Sequence, residues 1–115
     1  MILALLAVVA TSAAPVRTPA ERETLTQLAY VLGQAHALHR VCAGPTDDTW
    51  RGRMQHLIET EAPPETLKAA LTASFNSGFG SKDAQARDCK AAADSEARVS
   101  QKGAALARKL DHSAR

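Results

Sequence analysis

Aromatic side chains are nearly missing from this chain: one Trp, one Tyr and two Phe occur in 115 residues. A core without large rings has to be built from Leu, Ala, Val and Met. Such a core buries little area per residue, and a domain this small gains from a covalent staple. An excess of charge of one sign is missing too. There are 14 basic and 12 acidic residues, for a formal charge of +2, and no run of five Lys or Arg occurs. The somewhat basic segment from Arg87 to Arg115 is interleaved with Asp88, Asp94, Glu96 and Asp111 and has no ring on which a base could stack. Nucleic acid is therefore not an expected partner. No alternating run of Val, Ile or Thr is present, nor any internal repeat, so strands are not expected. At this length one domain is the natural reading.

What the chain does contain begins with an apolar stretch, Ile2 to Ala10, followed by Thr11-Ser12-Ala13-Ala14-Pro15. An apolar segment ending in small residues has the form of a signal-peptide core and cleavage site. It is too short to span a bilayer, which takes about 20 apolar residues. Cleavage after Ala13 or Ala14 is expected, leaving residues 15–115 as a single helical domain that is periplasmic or secreted and not inserted in a membrane. No Lys or Arg precedes the apolar run, and no Cys at the cleavage region offers a lipid anchor.

Beyond the leader, Thr18, Pro19 and Glu21 have the spacing of a capping box with proline at the first helical position. Leu25, Leu28, Leu32, Ala35, His39 and Cys42 then recur at spacings of three and four, widened by Val31 and Leu38. They predict an amphipathic helix to about Arg40. Ala43-Gly44-Pro45 stops it. Thr46, Asp47 and Asp48 offer fresh caps for a second helix carrying Trp50, Met54, Leu57 and Ile58 on one face, which ends at Ala62-Pro63-Pro64. A third helix opens at Pro64-Glu65 and turns Leu67, Leu71, Phe75 and Gly78 or Phe79 inward. Its register can run on through Lys82 and Ala86 to Cys89, with a kink or break near Gly78 and Gly80. The last helix covers roughly Ala92 to Leu110, with Val99, Gly103, Leu106 and Leu110 in one seam. The expected fold is all-α, a small bundle of about four helices.

The even cysteine count of an exported chain makes a Cys42–Cys89 disulfide the default. It would close a loop of about 48 residues, for which the chain-entropy model gives at most about 4 kcal/mol. The competing readings are a redox pair and a metal site. Neither has a C-x-x-C motif or a second cysteine pair behind it.

Signals for chemistry are weak. His36 and His39 lie three apart, as do His56 and Glu59, so antiparallel packing of the first two helices could gather them into a small-ligand or metal site. Ser74 and Ser77 lie in a helical pattern and not on a strand-to-helix elbow, and no phosphate-cradling loop follows a strand. No enzyme and no cofactor are expected. The most distinctive stretch is Phe75-Asn76-Ser77-Gly78-Phe79. Asn competes with the helix for hydrogen bonds. Its amide either fixes the register of neighbouring helices or is offered, between two rings, to a peptide in a groove. Trp50 either caps the core with its N–H at the rim or anchors an interface.

Four features together cover most of residues 24 to 110. They are Leu32-Gly33-x-x-His36-x-Leu38 ending in Cys42; Trp50-Arg51-x-x-Met54 with Leu57-Ile58-x-x-Glu61; Phe75-Asn76-x-Gly78-Phe79; and Cys89 ten residues later. In these the chain resembles an uncharacterised family of small exported alphaproteobacterial proteins, a domain of unknown function. It departs from that family's pattern between Gly80 and Ala86, where bulkier residues are expected. The resemblance implies export and a cysteine pair but no activity. The expectation is thus a non-enzymatic envelope module working through protein contacts, with Trp50, Arg51, Phe75, Asn76, Gly78 and Phe79 as candidate interaction or structural residues. A protein binding a small ligand or metal through His36, His39, His56 and Glu59 is the alternative.

Overall fold

The computed structural model describes residues 14–113; the expected leader core, Ile2 to Ala10, lies outside them. Four α-helices form an up-down-up-down bundle. They are α1 (Pro19–Ala43), α2 (Thr49–Glu61), α3 (Glu65–Phe79) and α4 (Cys89–Ser113), with a short 3₁₀ turn at Lys82–Ala84. Among the described residues there is no strand, and no helix is long and apolar enough to cross a membrane.

α1 starts where its cap chemistry directs. The Thr18 hydroxyl accepts from the Glu21 N–H at 3.2 Å, and the Glu21 carboxylate accepts from the Thr18 N–H at 3.0 Å. The latter bond holds the Glu21 carboxyl below its ordinary range. The helix ends at Gly44, whose φ of 102° favours glycine and whose N–H reaches Arg40 O at 2.9 Å. α2, α3 and α4 each pack on α1, so α1 is buried on several sides. Leu25, Leu28, Ala29, Val31, Leu32, Ala35 and Leu38 are all in the core. The expected stripe holds up to Ala35, whereas His39 is half-buried and Cys42 exposed.

Glycine sets the contact between α1 and α3. A Cβ on Gly33 would overlap the Phe75 carbonyl, and one on Gly78 would overlap the Tyr30 carbonyl. The two backbones therefore touch through reciprocal glycines, and the Ser74 hydroxyl donates to Thr26 O at 2.7 Å beside them. This glycine pair, and not Asn76, fixes the helix register; Asn76 is exposed.

The third helix does not continue to Cys89. It stops at Gly80, and the Lys82–Ala84 turn sends Ala84 into a small second core with Leu38 and Ala92. Cys89 opens α4 instead of closing α3. Asp88 caps that helix, its carboxylate accepting from the Ala91 N–H at 2.8 Å and its carbonyl from the Ala92 N–H at 3.0 Å. The disulfide forms as expected, Cys42 to Cys89, and ties the end of α1 to the start of α4. In the α4 seam Gly103 and Leu110 are buried, Val99 and Leu106 half-buried.

At the opposite end Arg17 makes a clasp. Its guanidinium donates to both Glu61 oxygens (3.0 and 2.7 Å), to Glu21 at 3.1 Å and to Leu110 O at 3.2 Å. One side chain thus joins the ends of α2 and α4 to the start of α1. The Glu61 bond, with its charge, raises the Arg17 pKa above the usual arginine value.

Candidate functional site

α2 runs back along α1 and α3 runs forward along it, leaving a groove of about 700 Å³ between them. Its floor is His36 of α1 with Phe75 and Phe79 of α3. The imidazole centroid lies 5.6 Å from the Phe75 ring and 5.3 Å from the Phe79 ring. Met54 and Ile58 line the α2 wall, and Gln55, Thr72 and Asn76 add polar groups. Phe75 is buried, while Phe79 keeps 38% of its surface exposed. The exposed part of the Phe79 ring stands at the groove mouth, with Phe75 buried beneath it.

His36 is 3% exposed, and its Nδ1 has no hydrogen-bond partner. Burial, helped by the nearby charges of Arg40 and Arg51, holds its pKa below the ordinary histidine value. The ring is therefore neutral at pH 7 and can donate or accept one hydrogen bond. An unpaired buried nitrogen is costly, which marks this point of the groove floor.

The charges sort along the groove. Arg40 stands at the Phe79 end, its guanidinium 5.8 Å from that ring's centroid, and bonds Asp47 O at 3.0 Å and Asp48 at 3.3 Å. Arg51, on the first turn of α2, acts on His36 from the same end and makes no ion pair among the described residues. Lys68 and Glu59, near the start of α3 and the end of α2, supply one charge of each sign to the other end.

Of the residues singled out from sequence, Arg51, Phe75, Asn76 and Phe79 thus meet in one groove, and His36 and Glu59 join them. Gly78 lies beneath, in the α1–α3 contact. Trp50 lies on the other side of α2: its indole N–H donates to Glu96 at 3.2 Å, and the Arg53 guanidinium covers its ring at 4.2 Å from the centroid. It is 7% exposed and acts as a core cap.

The proposed histidine cluster does not assemble. His39 Nδ1 meets both Glu96 oxygens at 3.0 Å, and its Nε2 lies 3.5 Å from Asp47. The two carboxylates are on opposite edges of the ring, so they cannot converge on one ion. His56 is exposed and lines a separate, mainly apolar cleft between α2 and α4. Among the described residues no group of three or more His, Cys, Asp or Glu could hold a metal ion, and the metal reading has no support. The Asp47 carboxyl is held below its ordinary range chiefly by the Thr49 N–H at 3.0 Å, so it too has a local structural use. The Ser74 hydroxyl is occupied by Thr26 O.

Sequence reasoning missed the Arg17–Glu61 clasp and the Gln34–Ser81 bond of 3.3 Å. Both span more than 40 residues, and no local pattern encodes them.

Fold and groove together define a class: a disulfide-tied four-helix domain with one open polar–aromatic groove walled by α2 and α3. The chain belongs to the family described as "Protein of unknown function (DUF2385)", whose model matches residues 20–113. No curated protein and no solved structure matches it.

Proposed function

We propose that the protein is a non-enzymatic binding module of an alphaproteobacterial cell envelope. In this reading it is exported, processed after Ala13 or Ala14, oxidised at Cys42–Cys89 and engaged with another envelope protein through the α1–α2–α3 groove. A disulfide that closes a long loop suits an oxidising compartment. One observation carries the reading. The groove gathers the exposed side chains of Arg51, Asn76 and Phe79 over the Phe75 ring. Polar and aromatic groups left wetted in the unbound protein are what a partner can cover.

The test is in-cell crosslinking and pull-down of the tagged protein from its native envelope, beside Asn76→Ala and Phe79→Ala. Both residues are exposed, so both variants are expected to fold. A specific partner captured by the parent and lost from both variants supports the reading. A partner retained by both removes the groove from it.

A second reading has its own support. The groove volume falls in the range of small-molecule sites, and His36 and Glu59 of the alternative set both line it. Native mass spectrometry of protein taken directly from cells decides this reading. A stoichiometric non-peptide adduct, released by Phe79→Ala, favours a small ligand over a protein partner.

A further inference from the structure

The charges and amides of the groove specify what fits it. Resting on the reading above, we propose that the groove takes an acidic, apolar peptide segment of the partner. A carboxylate would sit at Arg51, with Arg40 behind it and the adjoining apolar side chain laid on Phe79 and Met54. Three observations converge on this chemistry.

First, Arg51 is exposed, lines the groove and has no ion pair among the described residues, while Arg40 stands at the same end, partly offset by Asp48. A guanidinium fork suits a carboxylate better than a lysine point charge does. Second, Phe79 is the one exposed aromatic residue among the described ones; it lines the same groove as Arg51, and the Arg40 guanidinium lies 5.8 Å from its ring. The occupant therefore carries an apolar group next to its acid. Third, the side chains of Gln55 and Asn76 line the groove, and among the described residues no side-chain hydrogen bond engages them. A side-chain amide pairs with the N–H and C=O of an extended peptide; a free aromatic acid offers no such groups. Lys68 and Glu59 balance each other at the far end, so the acid preference is local to the Arg51 end.

The experiment uses isotope-labelled, oxidised protein recovered from the envelope of the producing cells, followed by amide NMR during titration. Three eight-residue peptides alternate Phe or Leu with Glu, with Gln or with Lys, and 3-phenylpropionate is the fourth probe. The Glu peptide is expected to shift amides of residues 51–58 and 72–79 and to bind about tenfold more tightly than the Lys peptide. Arg51→Glu should erase that preference, whereas Lys68→Glu should leave most of it. Both changes are at exposed helix positions, and the unliganded spectrum reports whether each variant folds.

Equal binding of the Glu and Lys peptides overturns the proposal. So does an equal response to the two substitutions, or an absence of shifts in the groove at millimolar peptide. Tight binding of 3-phenylpropionate with no gain from any peptide reassigns the groove to a free carboxylate. If instead the pull-down still captures a partner that depends on Asn76 and Phe79, the binding-module reading stands while the acidic-peptide assignment falls.

Discussion

At the scale of single residues, Arg17 and His36 give the sharpest tests. The Arg17 and Glu61 side chains are 10% and 5% exposed, and the guanidinium meets the carboxylate through two nitrogens. Removing Glu61 takes away two charge-assisted hydrogen bonds but leaves Arg17 those to Glu21 and Leu110 O, so Glu61→Ala is expected to cost about 2 kcal/mol in urea unfolding. A loss below about 1 kcal/mol, typical of surface pairs, would show that Glu21, Leu110 O and water suffice for Arg17. His36 tests the groove floor. Its folded pKa is depressed by burial first and by Arg40 next. Below about pH 6.5 the unfolded chain therefore takes up a proton that the folded chain refuses, and stability falls as pH falls. The loss of stability between pH 7.5 and 5.5 should be smaller in His36→Gln than in the parent. Equal losses would mean that the imidazole protonates freely in the fold. Little of this was legible in sequence. The Thr18 cap was, because its partner is three residues away; the clasp and the buried imidazole depend on where α2 and α3 come to rest.

At the scale of elements, the α1–α3 contact depends on what faces each glycine. Gly33 and Gly78 face backbone, whereas Gly103 faces the Val31 side chain, at 3.3 Å from an added Cβ, and Gly52 faces open space. Gly33→Ala and Gly78→Ala are expected to force the helices apart and cost about 3 kcal/mol each. Gly52→Ala should stabilise by up to about 1 kcal/mol through helix propensity alone. Thermal unfolding of the series checks the order, and a neutral Gly33→Ala would contradict the contact. Helix starts and stops were readable wherever caps and prolines mark them, as at Thr18, Gly44 and Pro63-Pro64. The break expected near Gly78 and Gly80 occurs, at Gly80; the error was to place Cys89 at the end of α3 instead of the start of α4. The α3 register continues by coincidence through Lys82 and Ala86, whereas in the structure Asp88 caps a new helix. In the structure Gly80 ends the helix and Ala84 is drawn into the second core, so burial decided what periodicity left open.

For the whole molecule, one covalent bond and one clasp hold opposite ends of a thin core. Leu25, Leu38 and Leu71 are its largest fully buried side chains. The chain-entropy model gives the Cys42–Cys89 bond up to about 4 kcal/mol, a large part of what so small a domain holds in reserve. Cys42→Ser with Cys89→Ser is expected to lower unfolding stability by about 2–4 kcal/mol, measured against the oxidised parent. A loss under about 0.5 kcal/mol would show that the helices alone keep α4 on α1. The bundle and its staple were legible from helical spacing, the signal-like leader and an even cysteine count. The groove was only partly so: sequence named Phe75, Asn76 and Phe79 as one stretch and Arg51 apart from it, and only the opposite directions of α2 and α3 along α1 bring Arg51 to the others.

The groove as a recognition surface is tested most directly by site-specific photo-crosslinking in the native envelope. One crosslinker replaces Asn76 in the groove and another replaces Ala97 on the exposed face of α4. A single protein adduct from the Asn76 position, absent from the Ala97 position and lost when Phe79→Ala is added, is the expected result. The same adducts from both positions, or an adduct from the Ala97 position alone, would contradict it.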